Sequence, residues 1–197
     1  MNKELFELDK LFKSNKFDEV ILMAKKLIKK GKNLPAYYNL LGISLDNTGK
    51  SYKAEKIFLD AIKENSKEIS FYSNLAKILI KQDKLEEAEN ILNEALKINS
   101  DDPFSLFEFG KLKRLQKNLF KALEYFKKVY KINPKFPNAL FLVGKTYLEI
   151  SQDSDDQIYK DLSKKNLLES SRLFPDNVDA DFLLSEVSDY QKEKKHQ

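Results

Sequence analysis

Lys77, Lys111 and Lys145 recur at intervals of 34 residues. An ammonium group is a compact charge with three donors and no acceptor, which suits it to carboxylates. Phe104, Phe107 and Phe141 interleave with these lysines, Lys81 and Arg114 add further cations, and Asn39 and Asn74 lie upstream. Aromatic rings bury apolar anchors, and a side-chain amide can both donate to and accept from a peptide backbone. This set can bind a ligand. It holds no group suited to proton transfer or nucleophilic attack near neutral pH.

The rest of the composition narrows the chemistry further. There is no Cys, and the one His, His196, lies beside the C-terminus. Thiolate zinc sites, iron–sulfur clusters and cysteine nucleophiles are excluded, and histidine acid–base chemistry in a folded pocket is not expected. Asp153, Asp155 and Asp156 suggest a calcium loop. That loop needs Gly at its sixth place and Glu at its twelfth, where this chain has Ile158 and Lys164. No Gly-rich phosphate loop, His-Glu zinc pattern or Gly-x-Ser-x-Gly elbow occurs. No cofactor and no metal are expected, and the chain reads as a non-enzyme.

The 197 residues carry 35 Lys and Arg against 31 Asp and Glu, a net charge of +4. Charged residues make up 34% and hydrophobic ones 42%, which fits a folded, well-solvated chain. Charges interrupt the N-terminus at once, so no secretory signal is read there. Apolar runs such as 139–143 fall far short of the roughly 20 residues that span a bilayer. No membrane span is expected, and the expected location is cytoplasmic. Residues 103–136 are strongly basic and residues 69–102 are acidic. A basic block can attract phosphates, but no nucleic-acid motif accompanies it, so no nucleic-acid partner is expected.

The elements that must position the candidate residues follow from the period. The pairs Leu41-Gly42, Leu75-Ala76, Phe109-Gly110 and Val143-Gly144 lie 34 residues apart. So do Ala54, Ala88 and Ala122, then Phe58, Leu92 and Phe126, then Ala61, Ala95 and Val129. Within a unit, Tyr38, Leu41, Gly42 and Leu45 follow helical spacing, and a second helix carries Ala54, Ile57, Phe58 and Ala61. Each unit is therefore two antiparallel helices of about 14 residues joined by a short turn. The small residues mark the closest approach of the two helices, where overpacking costs roughly 1–3 kcal/mol.

These columns resemble the tetratricopeptide repeat (TPR) family, whose 34-residue unit places Leu-Gly at 7–8, Ala at 20, an aromatic at 24, Ala at 27 and Pro at 32. The resemblance implies an all-α fold, a right-handed α-solenoid of about five helix-turn-helix repeats plus a C-terminal capping helix. Repeats are expected at about 1–34, 35–68, 69–102, 103–136 and 137–177, with the cap at 178–194, in a single domain spanning 1–197. The last repeat regains register about seven residues late, and Ser151 to Gln157 read as a polar extension of its turn. On the cap, Leu183, Leu184 and Val187 should cover the last repeat while Asp179, Asp181, Glu186 and Asp189 face water.

The resemblance also implies that positions 2, 5, 9, 12 and 13 of each unit line a concave groove. Those positions, with position 6, supply Asn39, Asn74, Lys77, Lys81, Phe104, Phe107, Lys111, Arg114, Phe141 and Lys145. The expected function is a protein–protein interaction module, an adaptor, scaffold or chaperone-like protein that holds an extended, acidic peptide segment. The alternative is a repeat region belonging to a sulfotransferase- or glycosyltransferase-type enzyme. A protein or peptide partner is expected, and a monomer rather than a homodimer, although Leu5, Phe6 and Phe12 leave apolar surface on the first helix.

Overall fold

A computed structural model describes residues 2–193, with side chains as far as Val187. Lys194 of the expected cap and His196 lie outside the described residues, as does the side chain of Asp189. Eleven helices and no strand form among the described residues. They are α1 (Lys3–Lys13), α2 (Phe17–Lys29), α3 (Pro35–Asn47), α4 (Ser51–Glu64), α5 (Ile69–Lys81), α6 (Leu85–Ile98), α7 (Pro103–Leu115), α8 (Leu119–Ile132), α9 (Ala139–Ser154), α10 (Gln157–Leu173) and α11 (Val178–Glu193). Each pair from α1–α2 to α9–α10 falls in one expected repeat, and α11 follows alone.

The turn inside a repeat closes the same way four times. Asn15, Gly49, Asp83 and Lys117 stand 34 residues apart, and all have positive φ, at 55°, 75°, 60° and 59°. The next residues, Lys16, Lys50, Lys84 and Asn118, donate their N–H to the carbonyls of Leu11, Leu45, Leu79 and Lys113 at 3.0, 2.8, 2.9 and 2.9 Å. This six-to-one bond with a left-handed residue inside it is a Schellman cap, and it satisfies carbonyls that the helix end leaves unpaired. Periodic residue identity does not reveal it, because the four left-handed residues are of four different types.

The crossing of the two helices in a repeat is set by small residues meeting large ones. A Cβ built on Gly42 would lie 2.3 Å from Cζ of Phe58, and one on Gly110 would lie 2.4 Å from Cε1 of Phe126. Both rings are fully buried. Ala54, Ala88 and Ala122 are fully buried as well. The sequence places this crossing correctly, and the structure adds that a ring fills the space over each of these two glycines.

The seven extra residues of the last repeat lengthen its helices rather than its turn. Residues 151–154 continue α9, and only Asp155 and Asp156 separate it from α10. α9 has 16 residues and α10 has 17, against 13 and 14 in the α5–α6 pair. Asp156 caps α10 by accepting from the Ile158 N–H at 2.8 Å. The polar residues therefore serve a helix start, which Asp at the N-cap favours.

The chain forms two compact units, residues 1–105 and 106–197. In the first, consecutive helices from α1 to α6 pack on one another, and α3 also touches α1 and α5. Leu41, Leu45, Phe58, Phe71, Leu75 and Leu92 are buried there, whereas α1 buries only Leu8. In the second unit, α8, α9, α10 and α11 pack in sequence. Ala180 and Val187 of α11 are buried in its core, with Leu183 and Leu184 packed against it. Asp179, Asp181 and Glu186 are exposed, as a solubilising cap requires.

Candidate functional site

The site residues of the first unit lie on the leading helix of successive repeats. Asn74 Nδ2 donates to Asn39 Oδ1 at 2.9 Å, and Asn39 Nδ2 donates to Ser70 Oγ at 2.7 Å. Ser70 Oγ–H in turn donates to Glu68 Oε1 at 2.7 Å. An ionised carboxylate can only accept, so Glu68 fixes the direction of the whole relay. Asn74 is left with its carbonyl oxygen unengaged among the described residues.

Lys81 and Lys77 lie farther along α5. Lys81 Nζ is 2.7 Å from Asp46 Oδ2, and Ser51 Oγ donates to the same carboxylate. Burial works to raise the Asp46 pKa. The hydrogen bonds from Lys81 and Ser51, with the charges of Lys81 and Lys77, outweigh it and hold the carboxyl below the ordinary Asp range. Lys77 is exposed and has no ion pair among the described residues. Phe104, at the start of α7, is 61% exposed.

The second unit repeats one motif. Lys111 Nζ lies 5.9 Å from the Phe107 ring centre, and Lys145 Nζ lies 6.0 Å from that of Phe141. Each aromatic precedes its lysine by four residues, one helical turn, so the cation folds back over the ring. Lys111 is also 2.7 Å from Glu108, whose side chain is nearly buried. Arg114 pairs with Glu149, and Lys145 has no carboxylate partner among the described residues. Phe141 is buried, and Phe107 packs between Phe126 and Phe136, with ring centres at 5.7 and 5.0 Å. Only Phe104 of the three aromatics presents most of its ring.

The site residues thus gather as Asn39 with Asn74, Lys81 with Lys77 around Asp46, Phe107 with Lys111, and Phe141 with Lys145. The sequence reading missed the acids that neutralise three of its five cations: Asp46, Glu108 and Glu149. It also missed Ser70 and Glu68. A signal for two of the acids was present. Asp46 and Lys81 are 35 residues apart, as are Arg114 and Glu149, and as are Asn39 and Asn74. The offset is one more than the period. It pairs position 12 of one repeat with position 13 of the next, and position 5 with position 6.

Several solved structures share this architecture. TTC0263, described as a thermophilic TPR protein of Thermus thermophilus, superposes with a TM-score of 0.78 at 14% identity, over 93% of this chain and 96% of that one. MamA residues 41 to end, from Desulfovibrio magneticus RS-1, gives 0.66 at 17% identity, over 87% and 97%. YrrB, described as a TPR protein with an unusual peptide-binding site, gives 0.58 at 20% identity, over 91% of each chain. The fold is that of TPR proteins. No curated protein matches the chain. One family model, described as AimR transcriptional regulator-like, matches residues 13–136, from the end of α1 to just beyond α8. With more than half its length matched, and with that match running through the repeat pairs described above, the chain belongs to the AimR transcriptional regulator-like family.

Proposed function

We propose that the chain is a non-catalytic repeat module that holds an extended peptide segment of a partner protein, with Lys77 in the first unit and Lys145 in the second each available to an acidic residue of a peptide. One observation carries this reading. Among the described residues, these two lysines have no ion pair and the Asn74 carbonyl accepts no hydrogen bond, while Lys81, Lys111 and Arg114 are neutralised in place. Lys77 follows Asn74 by one helical turn, so an ammonium donor and an amide acceptor can meet one peptide together. The neutralised cations make the preference for acid moderate rather than strong. The family description names a transcriptional regulator. On this reading the module gives a cytoplasmic transcriptional control system its peptide recognition, with protein rather than nucleic acid as its direct ligand.

Arrays of short peptides of graded net charge test this. Binding is expected to favour acidic peptides, and the Lys77→Glu/Lys145→Glu variant should bind them about tenfold more weakly, equivalent to about 1.4 kcal/mol. Circular dichroism should show its helicity unchanged, because exposed charges contribute little to stability. Equal binding by the variant, or a preference for basic peptides, would refute the assignment. Duplex DNA is expected to give no mobility shift.

A further inference from the structure

In the second unit, α8 carries Lys121, Lys127, Lys128 and Lys131 against one acid, Glu124. The corresponding helix α4 balances three lysines with three acids, and α6 sets one lysine against four acids. α8 buries Leu119, Ala122, Leu123, Phe126 and Val129 against its unit, so helical spacing turns all four lysines to water, where each is exposed. Lys121, Lys127 and Lys131 have no ion pair among the described residues. Lys127 Nζ instead lies 4.9 Å from the centre of the Tyr147 ring. The same side of α8 opens on an aromatic: Phe120 is 59% exposed and meets the Tyr159 ring edge-on at 6.0 Å. Phe120, Lys127 and Lys131 stand at i, i+7 and i+11, one stripe of a 3.6-residue helix. Ile158, beside Tyr159 at the start of α10, is 67% exposed.

We propose that this face adsorbs to an anionic phospholipid membrane, with Phe120 and Ile158 entering the interface beside the lysines. The lysines supply the charge complementarity, because an anionic leaflet attracts each cation held near it. They share one side of a helix about 21 Å long, so a single planar surface meets all of them at once. The exposed apolar side chains decide between anionic partners. A bilayer interface offers negative headgroups and hydrocarbon at neighbouring depths, and so receives cation and ring together. A nucleic-acid duplex offers phosphate without an apolar layer, and α8 holds no arginine to read a base edge. Glu124 stands among the lysines, and Asp153 lines the trough of about 480 Å³ beside Phe120. These two acids weaken the attraction without reversing it, so adsorption is reversible and screened by salt. No helix among the described residues is long and apolar enough to cross a membrane, so the contact is peripheral.

Co-sedimentation of the full chain with phosphatidylcholine vesicles, with and without about 30% phosphatidylserine, tests the proposal. Binding is expected to the phosphatidylserine vesicles alone, and it should weaken as salt is raised. Lys121→Glu/Lys131→Glu should bind at least about tenfold more weakly, with helicity unchanged because both side chains are exposed. Lys77→Glu/Lys145→Glu changes the net charge equally but lies off this face, and should keep most of the binding. The chain has no Trp, so Phe120→Trp places a single fluorophore at the start of α8. Its emission should shift to the blue on phosphatidylserine vesicles and be quenched by brominated lipid. An unmodified chain that stays in solution with these vesicles overturns the proposal. Equal weakening by the two charge-matched variants also overturns it, because attraction would then follow net charge and not this face. So does a fluorophore that brominated lipid fails to quench. A chain that ignores vesicles but shifts a DNA duplex, with the shift lost in Lys121→Glu/Lys131→Glu, overturns it in favour of nucleic acid.

Discussion

Gly42 and Gly110 owe their identity to Phe58 and Phe126. Each ring occupies the space that a Cβ would need, and each is fully buried. The repeat at 69–102 makes the opposite choice, with Ala76 and Leu92 at the same two positions. The two positions should therefore be coupled. Gly42→Ala alone should destabilise the chain by about 1–3 kcal/mol through overpacking. Gly42→Ala with Phe58→Leu, which recreates the neighbouring repeat's combination, should recover at least about 1 kcal/mol of the summed single losses. Urea denaturation of the four proteins measures the coupling, and additive losses would refute it.

The turn between helices carries a different constraint. Asn15, Gly49 and Asp83 fill the left-handed cap with residue types that tolerate it, but Lys117 does not belong to that set. A left-handed conformation costs an ordinary residue roughly 1–2 kcal/mol, and glycine adopts it freely at some cost in unfolded-state entropy. Lys117→Gly should accordingly stabilise the chain by about 0.5–1 kcal/mol. A urea midpoint unchanged or lowered by the substitution would contradict this. The extra length of α9 and α10 belongs to the same scale. Helical spacing in the sequence identified both helices, but their ends moved because Asp156 can cap a helix as readily as it can sit in a loop.

At the scale of the whole molecule, a repeat protein's stability is approximately the sum of repeat terms and nearest-neighbour interface terms. Asp46 with Lys81 is part of one such interface term, between the repeats at 35–68 and 69–102. The Asp46 carboxyl is held below its ordinary value, so its folded pKa is lower than its unfolded value of about 3.9. The resulting stabilisation is present above that unfolded value and is lost as pH falls through the folded one. Asp46→Asn should therefore cost about 1 kcal/mol at pH 7, a modest figure because Lys81 is half exposed. The gap between variant and parent should close on acidification, followed by urea midpoints from pH 7 to pH 2. A constant gap across that range would assign the loss to packing instead.

The sequence by itself determined the helices, their 34-residue grouping and the small-to-large crossing inside each repeat. These features depend on contacts within one unit, so identical spacing recurs in the chain. It also located the lysine column and the capping helix, whose apolar side is readable at Leu183, Leu184 and Val187. The tertiary structure decided which of the candidate cations keep an available charge. Asp46, Glu108 and Glu149 silence Lys81, Lys111 and Arg114, and two of those pairs form between neighbouring repeats. Their 35-residue offset joins leading helices of neighbouring repeats, so no single repeat encodes it. The burial of Phe141 and the exposure of Phe120 were set in the same way, by what the adjoining helix covers and what it leaves open.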